Sequence, residues 1–376
     1  MKPADPSRDA SLEPRYFAGN TPPAPGQALA VAPGVYWVRM PMPMALDHVN
    51  LWLLDDGNAW TVVDCGLNND ATRELWDQVF EQHLQGRAVQ RVICTHMHPD
   101  HIGLADWLCR RWQVPLLMTQ GEYLSARLIS SGLAPTTTEG MLEHFRAHGA
   151  APQHLEDLAA RGNMYMQMVP SVPQSFRRLE AGQRLRIGGA EWQVVEGGGH
   201  CPEHASLWCA EHGVLISGDL LLPRISTNVS VHAIEPEADA LGRYLRSLER
   251  FDALDAHTRV LPSHGLPFVG VHARVRQLRE HHAERLDLVL QACAQRPLSA
   301  AELIPLLFRR TLDSHQLGFA LGEAIAHAHR LWAIGALRRD IDSDGRIRFG
   351  AESAQPARLE ALARTAAGLS LPLATA

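Results

Sequence analysis

No two of the six cysteines (Cys65, Cys94, Cys109, Cys201, Cys209 and Cys293) are spaced as a CxxC pair, and together they form no small-domain framework. A disulfide-stapled scaffold is therefore excluded, and the pattern suits reduced thiols in a reducing compartment. No apolar run approaches the roughly 20 residues of a membrane span, so no membrane partner is expected. The opening stretch MKPADPSRDASLEP has no apolar segment of the kind a secretory signal carries. Positive charge is also short, with 35 Lys and Arg against 41 Asp and Glu, a net charge of -6. That balance argues against a dedicated nucleic-acid or anionic-membrane binder. The expectation is a cytoplasmic protein.

What is present is a globular composition, 46% hydrophobic and 20% charged over 376 residues, enough for one large domain and a small one. Residues 1–30 are rich in Pro, Ala and Gly and read as a flexible N-terminal arm. Residues 31–271 read as the main domain. It opens on strand-like runs (GVYWVRM, VNLWLLDDGNAWTVVDCG) with a turn at Asp56-Gly57, and carries a helical insertion at about 119–180. Residues 272–350 change character. A long charged helix is followed by a helix start with capping-box spacing at Ser299 and Glu302, another helix, and a hairpin turning at Asp344-Gly345. This reads as a helical, winged-helix-like module, with 351–376 as a peripheral tail.

The stretch THMHPDHIG packs His96, His98, Asp100 and His101 into six positions directly after the short apolar run RVIC. On a helix His96 and His98 would diverge by about 200°, and Pro99 biases His98 away from helical backbone. An extended loop leaving a strand lets both rings converge. Imidazoles and a carboxylate suit zinc and similar ions, each wanting about four ligands, so four residues are too few for two ions. Further donors follow the same grammar of strand, then ligand: His200 after EWQVVEGGG, Asp219 after GVLISG, His264 after RVLPS, and Asp64 after TVV.

In this order, THMHPDH, GGGH, SGD and SHG resemble the metallo-beta-lactamase-fold hydrolases, and VDCG is similar to that family's usual VDTG. The resemblance covers roughly 31–270. The C-terminal module resembles, more weakly, the winged-helix extension of the lactamase-beta-like subgroup. The resemblance implies an α+β fold, a four-layer αβ/βα sandwich with the metals at one edge. It implies two divalent ions, zinc first, with iron or manganese as alternatives. His96, His98 and His200 would hold one; Asp100, His101 and His264 would hold the other; Asp219 would bridge them. Asp64 would orient a ligand from behind, and Asp100 would also act in catalysis by moving a proton. Two such cations lower the pKa of a shared water to about 7, giving a hydrolase that uses a metal-bound hydroxide.

The same centre serves many substrates. An acyl ester, thioester or lactone is preferred, on the apolar character of the insertion. Met164, Tyr165 and Met166 are the candidate substrate contacts, with a core role the competing reading. The alternative is a metal-dependent endoribonuclease or phosphodiesterase. Against it, residues 296–350 hold eight Arg and six Asp or Glu, not a clear basic stripe. A non-catalytic DNA-binding regulator is a third reading. The expected partner is a small molecule, nucleic acid is not favoured, and a homodimer contact is left open. His144, His148, His154, His281 and His282 read as surface groups on helices. His204 reads as a structural hydrogen-bonding residue, Cys201 as passive rather than nucleophilic, and Cys65 and Cys94 as small buried hydrophobes.

Overall fold

The computed structural model describes residues 14–17, 21–133, 136–351 and 363–369. Two seven-stranded sheets dominate it. The edge strand β1 (Arg15–Tyr16) belongs to the second. The first runs, in spatial order, β2 (Ala28–Ala32), β3 (Val35–Pro41), β4 (His48–Asp55), β5 (Ala59–Val63), β6 (Ala88–Ile93), β7 (Leu116–Thr119) and β8 (Phe176–Leu179). The second sheet orders β9 (Arg184–Ile187), β10 (Ala190–Gly197), β11 (His204–Cys209), β12 (Val214–Gly218), β13 (Arg259–Pro262), β14 (Phe268–Val269) and then β1.

Helices connect and cover these sheets. α1 (Asp70–His83) joins β5 to β6; α2 (Pro99–Ile102) and α3 (Ala105–Trp112) join β6 to β7. The helices α4 (Gln120–Ser131), α5 (Thr138–Ala147), α6 (Pro152–Arg161) and α7 (Met164–Met168) lie between β7 and β8. After β12 comes α8 (Ala240–Glu249), and after β14 come α9 (Val271–Gln295), α10 (Ala300–Leu307) and α11 (Ser314–Ala333). The hairpin β15 (Arg338–Ile341) and β16 (Ile347–Gly350) follows, turning through Gly345 at φ 76°. Among the described residues no helix is long and apolar enough to cross a membrane.

Three apolar cores separate four layers, and the patterning of each element explains its place. Trp76, Val79 and Phe80 recur on one face of α1, whose start is capped by the Asn69 side chain, and they bury against the first sheet. Trp37, Trp52, Val63 and Ile93 of the first sheet meet Leu207, Ile216, Trp192 and Leu261 of the second, filling the space between the sheets. The outer face of the second sheet packs on Tyr244 and Leu248 of α8 and on α9, α10 and α11. This is the αβ/βα sandwich with a helical C-terminal module. The Ser299–Glu302 capping box starts α10, and a second box of Asp313 and Gln316 starts α11.

Strand direction sets where the loops gather. β5 and β6 run parallel, as do β12 and β13, and β10 points the same way as β12 because each is antiparallel to β11. The carboxyl ends of β10, β12 and β13 therefore open on one edge of their sheet, and those of β5 and β6 on one edge of theirs. That edge is where open α/β sheets present ligand-binding loops.

Three expectations are corrected. Residues 1–30 are not all a loose arm: Tyr16 pairs with Phe268, and β2 begins at Ala28. A two-residue strand and the small-residue run ALAVA carry too little alternation to be read as strands. The tail is not wholly peripheral, since Ala363, Ala366 and Ala367 are buried and Arg330 Nε donates to the Ala366 carbonyl at 2.8 Å. His144, His148, His154 and His282 are buried, not on the surface, and His281 is partly so. They lie on α5 and its C-terminal boundary, on α6 and on α9, whose polar faces are turned inward, and the cover includes α11 and β16. His282 Nδ1 meets His327 Nε2 at 3.2 Å, and His148 stacks on Phe349.

Candidate metal centre

Each proposed ligand leaves a strand at this common edge. His96 follows β6 within three residues; His98, in extended backbone at φ -63° and ψ 149°, precedes Pro99 and forms the N-terminal boundary of α2. Asp100 and His101 lie within α2. His200 is delivered by Gly199, at φ 101°, where a Cβ would come within 2.4 Å of the Ala240 carbonyl oxygen. Asp219 follows Gly218, at φ 54°, where a Cβ would come within 2.2 Å of His204 Nε2. His264 follows β13.

The structure brings all seven together as two adjoining groups. In the first, His96 Nε2 lies 3.0 Å from His98 Nδ1 and 3.3 Å from His200 Nε2, and His200 Nε2 lies 3.4 Å from Asp219 Oδ2. In the second, the Nε2 atoms of His101 and His264 each lie 3.4 Å from Asp100 Oδ2. Asp219 joins the groups, because its other oxygen, Oδ1, lies 3.6 Å from His101 Nε2 and 3.4 Å from His264 Nε2.

The rear nitrogen of most of these rings is committed elsewhere. His101 Nδ1 donates to Asp64 Oδ2 at 2.9 Å, His200 Nδ1 to the Asn228 carbonyl at 2.7 Å, and His264 Nδ1 to the His48 carbonyl at 2.8 Å. His96 Nδ1 meets Thr95 Oγ1 at 3.0 Å, and that hydroxyl itself donates to Asp64. With those nitrogens bonded outward, the four Nε2 atoms point into one space, where each ring, once it carries no second proton, offers its lone pair. His101 Nε2 and Asp219 Oδ1 are buried there with no hydrogen-bond partner. Lone pairs aimed at each other repel unless a cation lies between them. Two nitrogens on one tetrahedral zinc stand roughly 3.3 Å apart, a spacing these donors match. The residues fit a pair of divalent cations.

Electrostatics divide the cage. Burial, reinforced by neighbouring imidazoles, pushes His96 well below the ordinary histidine range and His98 down to about 3. Burial also acts to lower His101 and His264. There, however, the surrounding carboxylates win: Asp100, Asp64 and Asp219 raise His101 well above its usual range, and Asp219 and Asp100 raise His264 to about 10. Burial opposes ionisation of Asp100 and Asp219, yet the same two histidines hold both carboxyls well below the usual carboxylate range. This half draws positive charge, and protons compete with metal for it.

Asp64, fully buried at φ 63°, makes the turn after β5 in left-handed backbone, which Asp tolerates better than most residues. Its carboxylate accepts from Thr95 N at 2.7 Å as well as from His101, so it fixes both the loop and the ring. His204 is a structural group, its Nε2 accepting from the Asp219 backbone N–H at 3.1 Å. Cys201 is buried, and burial with the adjacent Glu122 carboxylate pushes its thiol well above the ordinary range, the reverse of an activated nucleophile. Cys65 and Cys94 are buried, and their sulfurs lie 3.6 Å apart as free thiols. The helix α7 exposes Met164 and Met166 at 43% and 40%, whereas the Tyr165 hydroxyl donates to the Met97 carbonyl at 2.6 Å.

Sequence reasoning missed the residues that brace this cage. His48 and Asn50 of β4 hold the His264 loop: His48 Nε2 accepts from Gly265 N, and Asn50 Nδ2 donates to the Pro262 and Gly265 carbonyls. Thr227 Oγ1 sits 2.9 Å from His200 Nδ1. Glu122 of α4 accepts from the Met97 backbone N–H. No local pattern marks them, because each is a single polar residue whose partner lies far along the chain.

Comparison with known proteins follows the same lines. The profile of the metallo-beta-lactamase superfamily matches residues 44–264, and that of a metallo-beta-lactamase-like C-terminal domain matches 286–352. The chain is 48% identical to a crystal structure of a beta-lactamase domain protein from Burkholderia ambifaria, with TM-score 0.85 over 91% of this chain and 100% of that one. A metallo-beta-lactamase family protein from Thermus thermophilus is 29% identical, with TM-score 0.73 over 86% of this chain and 100% of that one. A probable metallo-hydrolase of Bacillus subtilis, YqjP, is 27% identical over 80% of this chain and 92% of its own. The superfamily implies divalent ions, and among the described residues two groups of donors could hold a metal ion, His96, His98, His200 and Asp219 in one and Asp100, His101 and His264 in the other. With its sandwich, its edge of converging imidazoles and carboxylates, and its C-terminal domain, the chain belongs to the metallo-beta-lactamase superfamily.

Proposed function

We propose that this metal-dependent hydrolase holds two divalent cations, zinc first, and cleaves an acyl ester, thioester or lactone. His96, His98 and His200 would hold one ion and Asp100, His101 and His264 the other, with Asp219, which reaches both groups, shared between them. When bound, such a pair supplies the positive charge that acidifies water to a pKa of about 7 and polarises a substrate carbonyl. The chain's own groups do the rest. Asp64, Thr95, Asn228 and the His48 carbonyl hold the ring tautomers. Asp100, whose side chain is 15% exposed against 0% for His101 and 3% for His264, is the proton carrier at the mouth of the cage.

The observation that carries the substrate class is the exposed apolar side chains tied to the ligand loops. Met164 and Met166 flank Tyr165, which is bonded to the residue between His96 and His98. Ile225, 50% exposed, stands two residues before Thr227, which touches His200. Such flexible thioethers suit an acyl chain. The phosphodiester reading loses support because five of the eight arginines in 296–350 are engaged in ion pairs. Arg296 pairs with Glu302, Arg330 with Asp239, Arg338 with Asp340, Arg339 with Glu237, and Arg348 with Glu302 and Asp342. A phosphate-tracking surface needs unneutralised cations in a row.

A panel of p-nitrophenyl esters of increasing chain length, acyl-CoAs, lactones and a fluorescent RNA tests this. The expected result is hydrolysis of an acyl substrate, with KM in M164S/M166S rising about threefold or more for the longer chains and kcat little changed. Cleavage of RNA alone overturns the assignment.

A further inference from the structure

Met97 lies between His96 and His98, and both of its backbone hydrogen-bonding groups are held by side chains from the helices between β7 and β8. Its N–H donates to Glu122 Oε2 at 2.8 Å, and its carbonyl accepts from the Tyr165 hydroxyl at 2.6 Å. The other oxygen of Glu122 accepts from the Glu203 backbone N–H at 2.7 Å, in the loop that carries His200. Glu203 answers in kind, its carboxylate accepting from Gly121 N at 2.7 Å and its carbonyl from Thr119 Oγ1 at 2.7 Å. Glu122 is fully buried. One carboxylate thus spans the two loops that deliver all three imidazoles of the first group. Asp100, His101 and His264 instead meet Asp64, Asp219, His48 and one another.

We infer that Glu122 and Tyr165 are positioning residues for the first cation alone, so that the helices α4 and α7 govern how firmly that ion is held. Two rings set two residues apart in an extended loop can share an ion only while the backbone between them keeps its orientation, and here that orientation is fixed at both ends. Gln at position 122 keeps one acceptor but turns an NH2 toward the other buried N–H, leaving a donor facing a donor. Phe at position 165 removes only the hydroxyl. Tyr123 supplies an internal control: it lies beside Glu122 on α4, and its buried hydroxyl donates to the Pro173 carbonyl at 2.9 Å, away from Met97.

This inference rests on the two-cation reading above, and the experiment separates the failure of one from the failure of the other. Wild type, E122Q, Y165F and Y123F are loaded with cobalt(II), and its visible absorption and its release to excess chelator are followed. The same changes are placed in H264A, which retains only the first group. Y165F and E122Q should release the first-group cobalt about tenfold faster, within the 10–100-fold span of groups behind a metal ligand, and alter its absorption. Y123F should match wild type, and the second ion should leave at its usual rate. Wild-type release from Y165F, or equal weakening in Y165F and Y123F, overturns the inference, and Y165F decides the matter if E122Q does not fold. Wild type that takes up no cobalt overturns the two-cation reading itself.

Discussion

Two regions of this molecule bury clusters of histidine, and only one of them looks built for metal. In the cage at the sheet edge, rear nitrogens are bonded outward, front nitrogens converge, and two carboxylates sit among them. Beside α11 the rings face one another or a backbone carbonyl instead. His282 meets His327, His327 Nδ1 donates to the Glu323 carbonyl, and His329 Nδ1 to that of Ala238. Among the described residues these histidines belong to no group of three donors that could close on an ion. Burial pushes His327 down to about 3 and His329 to about 4, so both are neutral packing groups at pH 7. Burial and abundance of histidine therefore say little; convergence with a carboxylate says much.

That contrast can be broken most severely at Asp219. D219A removes the one carboxylate common to both groups and should abolish bound metal and lower kcat/KM by about a thousandfold or more, checked by metal analysis and single-substrate kinetics. Retained metal would mean that the two groups stand independently. A smaller effect is expected at the second cluster. A histidine whose folded pKa is lowered contributes stability that is present above its unfolded value near 6.5 and lost as pH falls toward the folded one. With His329 at about 4, the stability it loses between pH 7 and pH 5 is on the order of 2 kcal/mol, an upper figure. H329F should accordingly flatten the fall in Tm between pH 7 and pH 5 (while costing some packing at neutral pH). Smallest of all, H327Q should leave the metal content per chain unchanged and shift stability by about 1 kcal/mol. A loss of metal in H327Q would erase the distinction between the clusters.

The cage was legible in the sequence because its donors obey a local rule: a β-rich run ends and a ligand follows within a few residues. Parallel strands then place those ends on a common edge, so the order of motifs carries the geometry with it. The glycines before His200 could be read in the same way, since close backbone approach has few other solutions. The buried histidines of α5, α9 and α11 were not legible. A helix face of His, Arg and Glu looks solvated until a second polar face is known to cover it, and nothing in VHARVRQLREHHAERL announces α11. Glu122 was hidden for a related reason. It lies in the first turn of an ordinary helix, and its two partners are 25 and 81 residues away. The strand Arg15–Tyr16 was lost to brevity, two residues being too few to alternate.

The donors of the cage come from both halves of the sandwich: His96, His98, Asp100 and His101 from the first sheet, His200, Asp219 and His264 from the second. Whatever is bound there acts as a rivet through the two plates. Ligand occupancy is thereby converted into resistance to shear, since sliding one sheet over the other must first empty the hole. Stripping the ions should loosen the whole stack along that seam, long before any strand frays.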